Sequence, residues 1–164
     1  MNNLFKVKNI NFVISGGLGQ IGLKVSEYLE KNDSKLVIID FFDQKKLPSI
    51  KKKNPFLNSK NIEILNVDVS KKNQIKKSLP KILKFLKQIN VLVNLAAIDA
   101  NSSGKFNKNF NFHNFPENIL KKSINTNLLG AVNVAQVICE YFIKNKVAGN
   151  IVNVASIYSI VSPN

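Results

Sequence analysis

A doubly wound α/β fold, with a parallel sheet between two layers of helices, is what this sequence predicts, and three observations predict it. Short runs rich in Ile, Val and Leu alternate with stretches of helical periodicity. A glycine-rich turn directly follows the first of these runs, and the second closes on an acidic residue. The 164 residues are enough for one such domain and its core.

Each element can be justified in order. Residues 10–15 (INFVIS) are a short apolar run ending at the glycine turn, as a buried parallel strand reads. Over 20–32, Ile21, Val25 and Leu29 recur at helical spacing, with Tyr28 beside them. Leu36, Val37, Ile38 and Ile39 make a second strand closing on Asp40, and 62–67 (IEILNV) a third. Ile75, Leu79, Ile82, Leu83 and Leu86 describe an amphipathic helix, which Pro80 is expected to kink or restart. Val91, Leu92 and Val93 are too apolar for an exposed edge strand. Residues 99–114 are rich in Asn, Ser, Gly and Lys, with Phe106, Phe110 and Phe112 among them, and read as a long surface loop. Asn114 stands as a helix cap with Pro116 in the first turn, and a long helix runs to about Lys146, where Gly149 closes it. Residues 150–155 (NIVNVA) are the fifth strand. Such strands, joined by right-handed crossovers, open a ligand crevice beyond their C-terminal ends. No repeat or boundary divides the chain, so 1–164 reads as one domain.

Composition narrows the function. The formal net charge is +14, but every basic residue is Lys, none is Arg, and the lysines are scattered. Readers of bases and phosphates lean on Arg, so specific nucleic-acid binding is not expected. No apolar run approaches the roughly eighteen residues of a membrane span, and the first strand starts too near Met1 for a signal peptide. The single Cys139 fits a reducing, cytoplasmic setting and is expected to be a small buried residue on a helix. His113, the only histidine, has no companions for a metal site, and no carboxylate pair suits hydrolysis.

Chemistry concentrates at Ser15-Gly16-Gly17-Leu18-Gly19-Gln20-Ile21-Gly22, between the first strand and the first helix. Gly16 permits a tight turn, Gly19 lets backbone approach a pyrophosphate, and Gly22 allows close helix–strand packing. The helix N-terminus behind the loop offers unpaired N–H groups and a favourable dipole. Asp40 follows Gly22 by eighteen positions, near the spacing of the acidic residue that binds an adenosine ribose 2′-OH and repels a 2′-phosphate. NAD is therefore expected in preference to NADP.

Taken together, these motifs resemble the short-chain dehydrogenase/reductases, a Rossmann-fold family, along the whole chain. Asn66-Val67-Asp68-Val69 looks like the segment whose Asp contacts the adenine ring. The segment from Val91 to Ala97 (VLVNLAA) is similar to the family's L-V-N-N-A-G and departs from it at Leu95 and Ala97. Asn127-Leu128-Leu129-Gly130 looks like its N-x-x-G, and the segment from Ile151 to Ser156 resembles the strand that delivers the catalytic Ser. The resemblance implies that NAD is held by Ser15, Gly16, Gly19, Gln20, Ile21, Gly22, Asp40, Phe41, Asp68, Val69, Asn94, Ala96 and Ala97. It implies that Ser156 polarises the substrate oxygen, and that Asn127 holds a helix bend and a proton-relay water. The implied chemistry is hydride transfer between NAD(H) and an alcohol or ketone.

The family's acid/base is the Tyr of a Tyr-x-x-x-Lys motif, whose Lys binds the nicotinamide ribose; no such motif follows Ser156, where Tyr158 reads as a loop residue near the substrate entrance. A truncated, poorly soluble and inactive version of a longer subunit, with the C-terminal part of the fold missing, is therefore expected. Ala96-Ala97-Ile98-Asp99, Asn114-Phe115-Pro116 and Ser156-Ile157-Tyr158 look similar to bacterial oxidoreductases linked to surface-polysaccharide or flagellin-sugar modification, which implies a sugar-derived substrate. A sugar-nucleotide epimerase or dehydratase of the same superfamily and a non-catalytic NAD-binding module stand as alternatives. Leu128, Val132, Ala135, Val137 and Ile138 lie on the helix that the family uses for subunit packing, which implies a homo-oligomer at full length.

Overall fold

The computed structural model of the protein describes residues 7–98, 111–157 and 160–161. The expected loop with Phe106 and Phe110, and the readings of Asp99 and Tyr158, lie outside the described residues.

Uniformly apolar strands are found where both faces of a sheet are covered, and the chain builds such a sheet. Strands β1 (Asn11–Ser15), β2 (Lys35–Asp40), β3 (Ile62–Asn66), β4 (Val91–Asn94) and β5 (Asn150–Asn153) pair in parallel in the order β3-β2-β1-β4-β5. In register, Val13 of β1 lies between Val37 of β2 and Leu92 of β4. Alternate residues point to opposite faces. Val13, Val37 and Leu92 enter one core, with Ile75 and Ile82 of α3 (Lys72–Leu86) and Val134 and Ile138 of α5 (Ala131–Lys144). Phe12, Ile14, Leu36 and Ile38 enter the other, with Leu29 of α1 (Gln20–Lys31) and Leu57 of a 3-10 turn at Pro55–Asn58.

Several boundaries differ from the sequence reading. Pro80 neither ends nor restarts α3, which runs through it, and the Ser78 hydroxyl donates to the Ile75 carbonyl (2.8 Å) just before it. Asn114 does not cap the long helix. It ends a 3-10 turn, Phe112–Asn114, where its side chain accepts from the Asn111 N–H (2.6 Å), and Pro116 is the residue that caps α4 (Glu117–Ser123). Gly149 does not close α5, which ends at Lys144 with Asn145 as its cap and Lys146 at φ 52°. Gly149 is instead packed so closely on the Phe142 ring that a Cβ there would overlap it. A short helix, α2 (Leu47–Lys53), gave no periodic signal in seven residues and was not expected.

The long helix is continuous from 117 to 144, but Ile124–Gly130 between α4 and α5 is wound as a π-helix. That 28-residue helix is long and apolar enough, by length and composition, to cross a membrane. No uninterrupted apolar run foreshadowed it, because Asn125, Asn127 and Asn133 break the pattern. Here Val134, Val137, Ile138, Tyr141 and Phe142 of that helix are buried in the core beneath the sheet. Cys139 is exposed on α5, contrary to the buried position expected for it, because Val137 and Ile138 take the inward-facing positions of that turn.

Candidate nucleotide-binding site

The glycine turn is shaped by contacts that tolerate no side chain. Gly16 has φ +72°, and a Cβ on it would lie 2.6 Å from the Ala96 backbone. Its N–H donates to the Ile39 carbonyl at 2.8 Å, which ties the end of β1 to β2. Gly22 is close-packed too, but against the Gly16 carbonyl and Gly17 of the loop itself rather than against a strand. Gly19 caps α1 with no side-chain hydrogen bond, so the first N–H groups of that helix keep no side-chain partner at the cap.

Asp40 closes this arrangement from β2. Its carboxylate accepts the Leu18 N–H through Oδ2 and the Phe41 N–H through Oδ1, each at 2.8 Å. One side chain thus joins the glycine loop to the β2 exit. Burial pushes the Asp40 carboxyl above the usual carboxylate range, and the two N–H donors pull against that rise. Asp68, at the exit of β3, accepts the Ser70 N–H (2.9 Å) and hydroxyl (2.6 Å) on Oδ1, while Gln74 accepts its N–H (2.9 Å).

These exits enclose a cavity of about 880 Å³ at the C-terminal ends of β1 to β4, a size that suits a cofactor. Of the residues expected to hold NAD, Gly16, Gly19, Asp40, Phe41, Asp68, Val69, Ala96 and Ala97 line it. Phe41 stands 72% exposed at its rim. Ser15, Gln20, Ile21, Gly22 and Asn94 do not line it. Ile21 is 63% exposed, so the helical stripe of α1 begins after it rather than with it. Ser15 and Asn94 are buried and bonded to each other, Ser15 Oγ–H donating to Asn94 Oδ1 (3.1 Å). The Asn94 amide donates to Asn153 Oδ1 (2.8 Å) and the Ala131 carbonyl (3.3 Å), so this residue links β1, β4, β5 and α5.

Neither expected catalytic residue lines the cavity. Asn127 lies in the π-helical stretch and grips the backbone of Ile98, a wall residue, from both sides. Its Oδ1 accepts the Ile98 N–H (2.8 Å) and its Nδ2 donates to the Ile98 carbonyl (3.0 Å). Ser156 is exposed just beyond β5. The sequence reading missed the wall supplied by Ile50 of α2, by Lys122 of α4 and by Thr126 of the π segment. Ile50 was lost with its helix. The other two are set by how the long helix docks, which no local pattern encodes.

A glycine turn and a strand-end carboxylate around one cavity, on a sheet of this order, define a doubly wound nucleotide-binding fold. The sequence profile of the short chain dehydrogenase family matches residues 11–163, and the chain belongs to that family. It is 27% identical over 157 residues to alcohol dehydrogenase 1 of Ceratitis capitata, covering 93% of this chain and 53% of that protein. It is 25% identical over 158 residues to the NAD-dependent glycerol dehydrogenase of Listeria innocua, covering 96% and 57%. Among solved structures, ElxO with NADP bound superposes with a TM-score of 0.75 at 26% identity, over 94% of this chain and 58% of that one. The chain thus spans little more than half the length of these relatives.

Proposed function

We propose that the chain binds NAD in the cavity between Gly16, Asp40 and Asp68, as the nucleotide-binding part of an oxidoreductase that acts on a small alcohol or ketone. The observation that carries this reading is the position of Asp40, on the cavity wall and bonded to the glycine loop. A carboxylate has lone pairs beyond the two used here, so it can accept from a ribose 2′-OH, whereas a 2′-phosphate would meet like charge. The residues fit such a group: no side chain fills the Gly16 turn, and the α1 N-terminus faces the loop without a side-chain cap.

The nicotinamide ring, when bound, supplies the hydride acceptor or donor. The chain's own residues hold and orient it. Asn127 fixes the Ile98 backbone at the cavity wall, and Ser156 would donate a hydrogen bond to the substrate oxygen. A Tyr-x-x-x-Lys occurs nowhere in the 164 residues, so no proton-transfer role is assigned to them. The alcohol and glycerol dehydrogenases among the relatives support a hydroxylated substrate, a polyol or sugar derivative, and the lone cysteine supports a cytoplasmic setting. Leu120, Ile124, Leu128 and Val132 form an exposed apolar stripe at four-residue spacing, which supports a homo-oligomer.

Isothermal titration of the 164-residue chain with NAD and NADP tests the cofactor reading. NAD is expected to bind about tenfold or more tightly than NADP, with the preference lost in Asp40→Ala. Tighter binding of NADP, or no heat from either in a folded chain, would overturn it.

A further inference from the structure

On the far side of Phe42 from the nucleotide cavity lies a second, open groove of about 740 Å³ along the free edge of β3. We propose that it is a binding site for a small amphipathic anion, an acidic headgroup on a short apolar body. Phe42 lines both cavities. The Asn66 side chain pins that aromatic wall, accepting the Phe42 N–H (3.3 Å) and donating to the Phe42 carbonyl (2.9 Å).

Ile64 and Leu65 of β3 and Leu47 and Pro48 of α2 supply an apolar part of the lining, beside the polar Gln44, Asn58 and Asn66. The strand adds donors. In the β2–β3 ladder Leu36 N–H bonds to the Asn61 carbonyl and Val67 N–H to that of Asp40, so the odd-numbered residues of this stretch face β2. Alternation then turns the N–H groups of Ile64 and Asn66 to the open edge.

The charged side chains that line the groove have one sign. Lys51, Lys52 and Lys81 line it, and no acidic side chain does among the described residues. Lys81 is already paired with Glu63 (2.9 Å), whereas Lys51 and Lys52 have no ion pair among the described residues. Their place in the last turn of α2 suits the helix dipole, but it does not account for a groove beside them that has apolar lining and no acidic side chain among the described residues. An apolar body on Leu47 and Ile64, with its acidic group at the two lysines, satisfies both features.

Octanoate is the probe, followed by amide chemical shifts of the 164-residue chain, with 1-octanol as the uncharged control. The expected result is saturable shifts at Phe42, Leu47, Ile64 and Asn66, and a dissociation constant raised about tenfold or more in Lys51→Glu/Lys52→Glu. Both lysines are surface residues outside the nucleotide cavity, so NAD titration of the same variant reports whether it is folded. Shifts centred on 16–22, equal binding of 1-octanol, or an affinity unmoved by charge reversal would each overturn the proposal.

Discussion

β2 and β5 are parallel strands of one sheet, yet they are held differently. β2 lies between β1 and β3, and its Leu36, Val37, Ile38 and Ile39 have no exposed surface. Among the described residues β5 pairs with β4 alone, begins and ends on Asn, and leaves Val152 47% exposed. The difference separates two kinds of site residue. Asp40 extends from a strand clamped on both sides, at the wall of a formed cavity, whereas Ser156 follows a strand clamped on one side. The proposed nucleotide site therefore rests on the better-packed half of the described fold.

Core truncation gives the largest expected contrast. Ile38→Ala should cost about 2–5 kcal/mol in urea unfolding, and Val152→Ala within about 0.5 kcal/mol. Equal costs would break the comparison. Gly16→Ala forces a Cβ into the Ala96 backbone at a left-handed φ, and should weaken NAD binding by roughly a hundredfold in titration calorimetry while β5 contacts persist. Asn94→Leu should cost about 1–3 kcal/mol, because Ser15 Oγ then loses its acceptor in the sheet interior. A stability within error of wild type would remove Asn94 as the link between the two halves.

Smaller effects come from Asp40 and Cys139. Asp40 has a folded-state pKa above its ordinary value of 3.8, so its contribution to stability is fully present below that value and is lost as pH rises through the raised one. Asp40→Asn should therefore unfold at higher urea than wild type at pH 7, with the advantage vanishing below pH 3.8. NAD affinity should move the other way, falling as acid protonates the carboxylate. An advantage that grows on acidification would reverse the assigned sign. Cys139→Ser, on the exposed face of α5, should change stability by no more than about 0.5 kcal/mol.

The strands were legible because burial on both faces leaves an unbroken apolar run, as in 36–39, and the glycine turn because its contacts exclude side chains. Asp40 was legible by spacing. Its bond to the Leu18 N–H was not, since that depends on how far the loop folds back over β2. The Ser15–Asn94 bond was not legible, since it joins residues 79 apart in sequence, on neighbouring strands. The long helix showed its apolar face but not its π-wound segment, because Ile98 on another strand's exit supplies the partner for Asn127. α2 escaped because seven residues carry barely two turns of periodicity.

The Asn94 network has one further consequence, for strand alignment. Side chains alternate along a strand, so sliding β4 by one residue against β1 would bring Val93 or Leu95 opposite Ser15 in place of Asn94. Ser15, 1% exposed, would then lose the acceptor of its hydroxyl, and a slip of β5 against β4 would likewise part Asn153 from the Asn94 amide. Apolar strands such as 12–14 and 91–93 discriminate poorly between adjacent registers on hydrophobicity alone. A single buried amide shared among three strands penalises every misaligned pairing together, and its contribution is to the uniqueness of the sheet more than to its strength.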